Sequence, residues 1–83
     1  MRPNDLYDKL HQQPFQPFRI KLTNGSVYEI RHPELLMVGR STAVIGLPAP
    51  DLPEHFYDRS VTIALVHIVE VEPIAPAAPS GSN

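Results

Sequence analysis

The stretch Phe18-Arg19-Ile20-Lys21-Leu22, Thr23-Asn24-Gly25, Ser26-Val27-Tyr28-Glu29-Ile30-Arg31 constrains this chain more than any other. Apolar and polar residues alternate with period two on both sides of an Asn-Gly, the pattern of two half-buried strands joined by a tight turn. Two turn lengths compete. A two-residue loop at Asn24-Gly25 pairs Leu22 with Val27 and carries Glu29 opposite Ile20, onto the apolar face. A three-residue loop, Thr23-Asn24-Gly25 with Gly25 left-handed, pairs Ile20 with Tyr28 and Phe18 with Ile30, and sets Arg19 across from Glu29 on the wet face. A one-residue slip turns a whole strand inside out, so the three-residue loop is the one that keeps the apolar side chains together.

Upstream, Asn4 is a candidate N-cap for a short helix, with Asp5 and Asp8 near its positive end and Leu6 and Leu10 as its apolar stripe, Tyr7 beside them. Pro14 ends it, because the residue before a proline is pushed out of the helical region. Two turns of helix are marginal alone, so this one must lean on the sheet. The Pro14-x-x-Pro17 of QPFQPF has the form of a peptide that docks onto another domain. It lies between a helix end and a strand, however, and Phe18 is already assigned to the core. It reads as the joint that seats the helix, with Phe15 packed between helix and sheet.

Downstream, His32-Pro33 breaks the second strand. Leu35–Val38 and Thr42–Leu47 form another hairpin around Gly39-Arg40-Ser41, and PAPDLPEHFYD from Pro48 to Asp58 reads as a surface loop. Ser60–Ile63 and Ile68–Glu72 are the last strands. The joint between them is too short for a looped hairpin and holds neither Gly nor Asn, which predicts a single 3₁₀ turn. The uncharged PIAPAAPSGSN from Pro73 onward buries too little to offset its ordering and is expected to be a disordered tail. The organisation expected is a helical segment over 1–13, a small β-barrel over 14–73 and a tail over 74–83.

Eighty-three residues allow one domain. There is no cysteine and hence no disulfide or thiolate site. No apolar run is long enough to span a bilayer, and MRPNDLYDKL lacks a secretory apolar region, so a soluble, cytoplasmic protein is expected. A formal charge of −2 argues against non-specific nucleic-acid binding.

The element order is similar to that of the five-stranded SH3-like and Sm-like small barrels. At the level of residues, Pro14-Phe15-Gln16-Pro17-Phe18, Thr23-Asn24-Gly25, Ile30-Arg31-His32-Pro33-Glu34 and His67-Ile68-Val69-Glu70-Val71-Glu72-Pro73 resemble a family of short bacterial proteins with no established activity. That family carries the pattern PFxPF, a Thr-Asn/Asp-Gly turn, a His-Pro-Glu segment and a closing HIVxVEP. The resemblance covers roughly residues 5 to 73 and implies a fold, an all-β small barrel with a short N-terminal helix. The RNA-contacting residues of Sm proteins have no counterparts here that align one by one.

No catalytic or metal-binding grouping emerges, and no cofactor is expected. His11, His32, His55 and His67 form no close pair on one face, and Pro33 turns His32 and Glu34 apart. Serines 26, 41 and 60 lack a base and an orienting partner. His67 is expected to be a structural histidine beside buried residues. What remains is interaction chemistry. Leu35–Val38 is apolar on both faces, so a side of it beyond the core must meet the helix, a loop or a second subunit. Phe56 and Tyr57 either fold back over the barrel's open end, which a small core favours, or stand exposed for a partner. Leu36, Met37, Phe56 and Tyr57 are therefore the candidate partner-binding residues of a non-enzymatic, self-associating interaction module. The alternative is RNA binding on the outer face of the first hairpin through Arg19, Lys21 and Arg31, with Arg40 at a neighbouring turn.

Overall fold

A computed structural model describes residues 1–53 and 56–74. The chain forms α1 (Pro3–Leu10), β1 (Phe18–Leu22), β2 (Val27–Ile30), a 3₁₀ turn (Pro33–Leu35), β3 (Leu36–Val38), β4 (Thr42–Pro48), β5 (Tyr57–Ala64), a second 3₁₀ turn (Leu65–His67) and β6 (Ile68–Pro73). The strands make two antiparallel three-stranded sheets, ordered β2-β1-β6 and β3-β4-β5. Among the described residues no helix is long and apolar enough to cross a membrane. The tail expected over 74–83 lies, from residue 75 on, outside the described residues, as does His55.

The first hairpin has the register that the alternation requires. Phe18 pairs with Ile30, Arg19 with Glu29 and Ile20 with Tyr28. The Gly25 N–H donates to the Leu22 carbonyl at 3.0 Å, and the Leu22 N–H donates to the Ser26 carbonyl at 2.9 Å. Gly25 has φ +90°, which a side chain would strain. The Ser26 N–H closes on Asn24 Oδ1 at 2.9 Å. The second 3₁₀ turn also falls where the short joint demands one. Its His67 carbonyl accepts from Thr23 N–H at 2.9 Å, tying the hairpin tip to the last strand.

Three expectations are corrected. Among the described residues there are six strands rather than five, and the two sheets do not close into a barrel. Pro33 has no N–H to offer a ladder, and the 3₁₀ turn it opens hands β2 and β3 to different sheets. Strand β5 begins at Tyr57, not Ser60, because a register shift beside Pro48 lets Tyr57 pair with it. The helix begins at Pro3 with Arg2 as its cap, since proline's fixed φ and missing N–H suit the first helical position better than Asn4 suits the cap.

The core gathers both sheets and the helix. Leu6 and Leu10 join Phe18, Ile20, Ile30, Leu36, Ala43, Ile45, Ile63, Leu65 and Ile68 in one buried cluster. Tyr7 instead faces out and stacks on His11, ring centroids 4.0 Å apart. After the cis Gln13–Pro14 peptide, half-buried Phe15 leans on this cluster and meets Phe18 at 6.0 Å between ring centroids. Since Phe15 is only partly enclosed, Phe15→Ala should cost about 2 kcal/mol, below the ~3–5 kcal/mol of a fully buried phenylalanine. Thermal denaturation should show a drop of roughly 8–16 °C. An unchanged melting temperature would return the Pro14–Pro17 segment to consideration as a docking peptide.

A candidate interaction groove on the outer face of the second sheet

Alternation along β3 and β4 sends Leu36, Ala43 and Ile45 inward and Met37, Val44 and Gly46 outward. Met37 lies opposite Val44, which lies opposite Thr62, and Gly46 lies opposite Ser60. Gly46 is the point of closest approach. A Cβ built on it would stand 3.2 Å from Tyr57 Cβ and Cγ and 3.3 Å from Leu35 Cδ2. Two large side chains thus converge over a strand residue that has none of its own. The result is a groove of about 310 Å³ floored by Gly46 and Val44 and walled by Leu35, Met37 and Tyr57, with Ser60 and Glu34 at its margin. That is at the small end of the ~300–1,000 Å³ typical of ligand clefts.

Of the four candidate partner-binding residues, the structure brings two together here. Met37 is 65% exposed and Tyr57 60%. Leu36 belongs to the core at 3% exposure, so its neighbour Met37 alone serves the outer face. Phe56 is exposed in the β4–β5 loop, its N–H donating to the Pro53 carbonyl and its carbonyl accepting from Ala49 N–H. Both aromatics are exposed rather than enclosed in the core, and Tyr57 lies against Gly46. Gly46, Val44 and Leu35 were not singled out from the sequence. The available signal was a glycine inside an apolar strand run, which marks either a bulge or a close approach.

The cations on the first hairpin are already engaged. Arg31 Nη2 lies 3.0 Å from Glu29 Oε1, and Arg19 Nε lies 3.3 Å from Glu29 Oε2. Arg19 Nη1 also reaches Glu72 at 3.4 Å, while Lys21 Nζ reaches Glu70 at 3.5 Å and Glu72 at 3.9 Å. Strand β6 supplies Glu70 and Glu72 beside β1, so three cations face three carboxylates and the outer face of this sheet carries no net positive charge. Arg40 is not part of it. It stands on the β3–β4 turn, sharing a shallow hollow with Met1, Arg2, Asp5 and Leu65.

The hydrogen bond from Arg31, then its charge and the contacts of Arg19, hold the Glu29 carboxyl below its ordinary range against the opposing effect of desolvation. A depressed folded-state value contributes stability that is present above the unfolded value and is lost as pH falls through the folded one. Glu29→Gln should therefore flatten the decline of melting temperature below about pH 4.5 while changing little at pH 7, because solvent screens exposed ion pairs. Equal acid slopes for the two proteins would refute that assignment.

His67 and His32 each border a hollow. Around His67 are Thr23, Asn24, Tyr28 and Thr62, with Thr23 Oγ1 3.4 Å from His67 Nδ1. Among the described residues no carboxylate lines this hollow to orient the imidazole. His67 is exposed rather than packed among buried side chains, because the 3₁₀ turn buries Leu65 instead. His32 lies beside Glu29, Arg31, Leu47 and Pro48. Among the described residues, no three His, Asp or Glu side chains come together as a metal site would require. Comparison with protein-family models, curated proteins and solved structures returns no match to this chain.

Proposed function

We propose that this chain is a non-enzymatic protein-interaction module that docks an extended segment across the outer face of β3-β4-β5. The observation that carries this reading is the glycine-floored groove between Met37 and Tyr57. An exposed methionine and an exposed tyrosine on either side of the Gly46 floor supply apolar contact area at the surface. The element order supports kinship with the SH3-like and Sm-like small folds, here opened at Pro33.

Self-association through this same face is one form the docking can take. The free edge of β5 is a poorer route, since Asp58 and Arg59 place charges on it. The nucleic-acid alternative would require Arg19, Lys21 and Arg31 to leave carboxylates 3.0–3.9 Å away before meeting phosphate.

The test is affinity capture from the native cell with the wild type, Met37→Glu and Tyr57→Lys side by side, together with light scattering for self-association. Both variants should keep the melting temperature within a few degrees, because both side chains are exposed, and lose the captured partner or the oligomer. Identical partners and identical mass for all three proteins would overturn the proposal.

A further inference from the structure

A second hollow lies where the tip of the first hairpin meets the edge of β5, and it shares no lining residue with the groove. We propose that it binds one neutral hexopyranose ring.

Three polar groups are fixed around this hollow, each by a different element. On β5, the Leu65 N–H donates to the Ser41 carbonyl at 2.9 Å, a hydrogen-bonded position that the register repeats at Ala43–Ile63 and Ile45–Val61. Antiparallel ladders alternate, so the intervening Thr62 turns its N–H and C=O away from β4. Among the described residues no strand pairs with β5 on that side. Thr62 therefore presents a backbone donor and acceptor at the edge that borders the hollow. At the hairpin tip, Asn24 Oδ1 accepts from Ser26 N–H at 2.9 Å, which fixes the side chain and leaves Nδ2 with two donors. On the 3₁₀ turn, Thr23 Oγ1 holds His67 Nδ1 at 3.4 Å and leaves Nε2 as the third group. Between them Leu22, Tyr28 and Val61 pack against the core and form an apolar floor.

This chemistry selects the ligand. Among the described residues the lining holds no carboxylate, lysine or arginine, so a charged ligand would find no counterion there. The three fixed groups enter from three elements rather than in one plane. That suits hydroxyls spread around a saturated ring better than the coplanar edge of a nucleobase, and each hydroxyl both donates and accepts. The C–H face of a pyranose then lies on the apolar floor. The hollow measures about 390 Å³, within the ~300–1,000 Å³ of ligand clefts. A hexose has about twelve non-hydrogen atoms, which at ordinary ligand efficiency gives a dissociation constant in the millimolar range.

The test follows the Thr62 amide, the Asn24 side-chain amide and the His67 ring by NMR. The methyl glycosides of glucose, galactose and mannose are added to tens of millimolar, and at least one should shift all three sets of signals with a single dissociation constant. Comparing that glycoside with its free hexose separates the end of a glycan from a soluble sugar as the source. Asn24→Asp keeps the oxygen that accepts from Ser26 N–H, so the turn and the melting temperature should hold. It loses the Nδ2 donors and should bind roughly tenfold more weakly at the Thr62 amide, the effect of about one hydrogen bond. His67→Ala, at an exposed position, should weaken binding similarly. Glucuronate and uracil, the charged and planar competitors, should each bind less well than the best glycoside. No saturable shift with any hexose would overturn the proposal, as would binding that Asn24→Asp leaves intact, or tighter binding of glucuronate or uracil.

Discussion

Replacing Ile20 with alanine should remove about 3–4 kcal/mol of stability, close to everything a domain of this size has to lose. Ile20 is fully buried in the middle of β1, the central strand of the first sheet, paired with Tyr28 on one side and Val71 on the other. Three of its side-chain carbons, two methyls and a methylene, would be lost from a site that two sheets and a helix enclose. Such a cavity collapses poorly, because its walls are held by the backbone ladders of both neighbours. The melting temperature should fall by roughly 12–32 °C. Val27→Ala, on the same sheet but 47% exposed, should stay within about 0.5 kcal/mol. Urea denaturation of the two variants measures both, with the slope unchanged if only stability has moved. A small loss at Ile20 would mean that the two sheets do not pack on each other as described.

That contrast is legible in the sequence, and the reason is parity. A strand buried on one face leaves one register that keeps Phe18, Ile20, Ile30 and Tyr28 on the same side, so local residues suffice to decide it. The 3₁₀ turn at Leu65–His67 is legible for a similar reason, since three residues between two strands allow little else. What escaped was decided by partners distant in the chain. From the sequence Arg19 and Lys21 lie on the outer face of the first hairpin, and Glu70 and Glu72 alternate with valines along β6 with nothing local to say what lies beside them. Only the adjacency of β6 and β1 turns two solvated faces into one neutral network. The split at Pro33 follows the same rule. Proline marks a break in a ladder, but whether the chain resumes in the same sheet depends on β4, which offers its edge to Leu36–Val38.

Gly46→Val should separate binding from folding more sharply than any other single change. Valine suits a strand better than glycine, by roughly 0.5–1 kcal/mol from backbone freedom and strand preference. Against this, its Cβ would meet Tyr57 and Leu35 at 3.2–3.3 Å, tighter than ordinary contact. Tyr57 is the side chain able to give way, since it is exposed and sits at a register shift of an edge strand. The opposing effects should leave stability within about 1 kcal/mol of the wild type. The groove cannot survive the same change. Its floor becomes two methyl groups, and Tyr57 is pushed off the wall it forms. Capture of a partner should fall at least tenfold, equivalent to about 1.4 kcal/mol. Paired denaturation and binding measurements on this variant distinguish the two roles a strand glycine can have. Were stability to drop by several kcal/mol with binding intact, Gly46 would be a packing residue only, and the surface between Met37 and Tyr57 would be an ordinary wet sheet face.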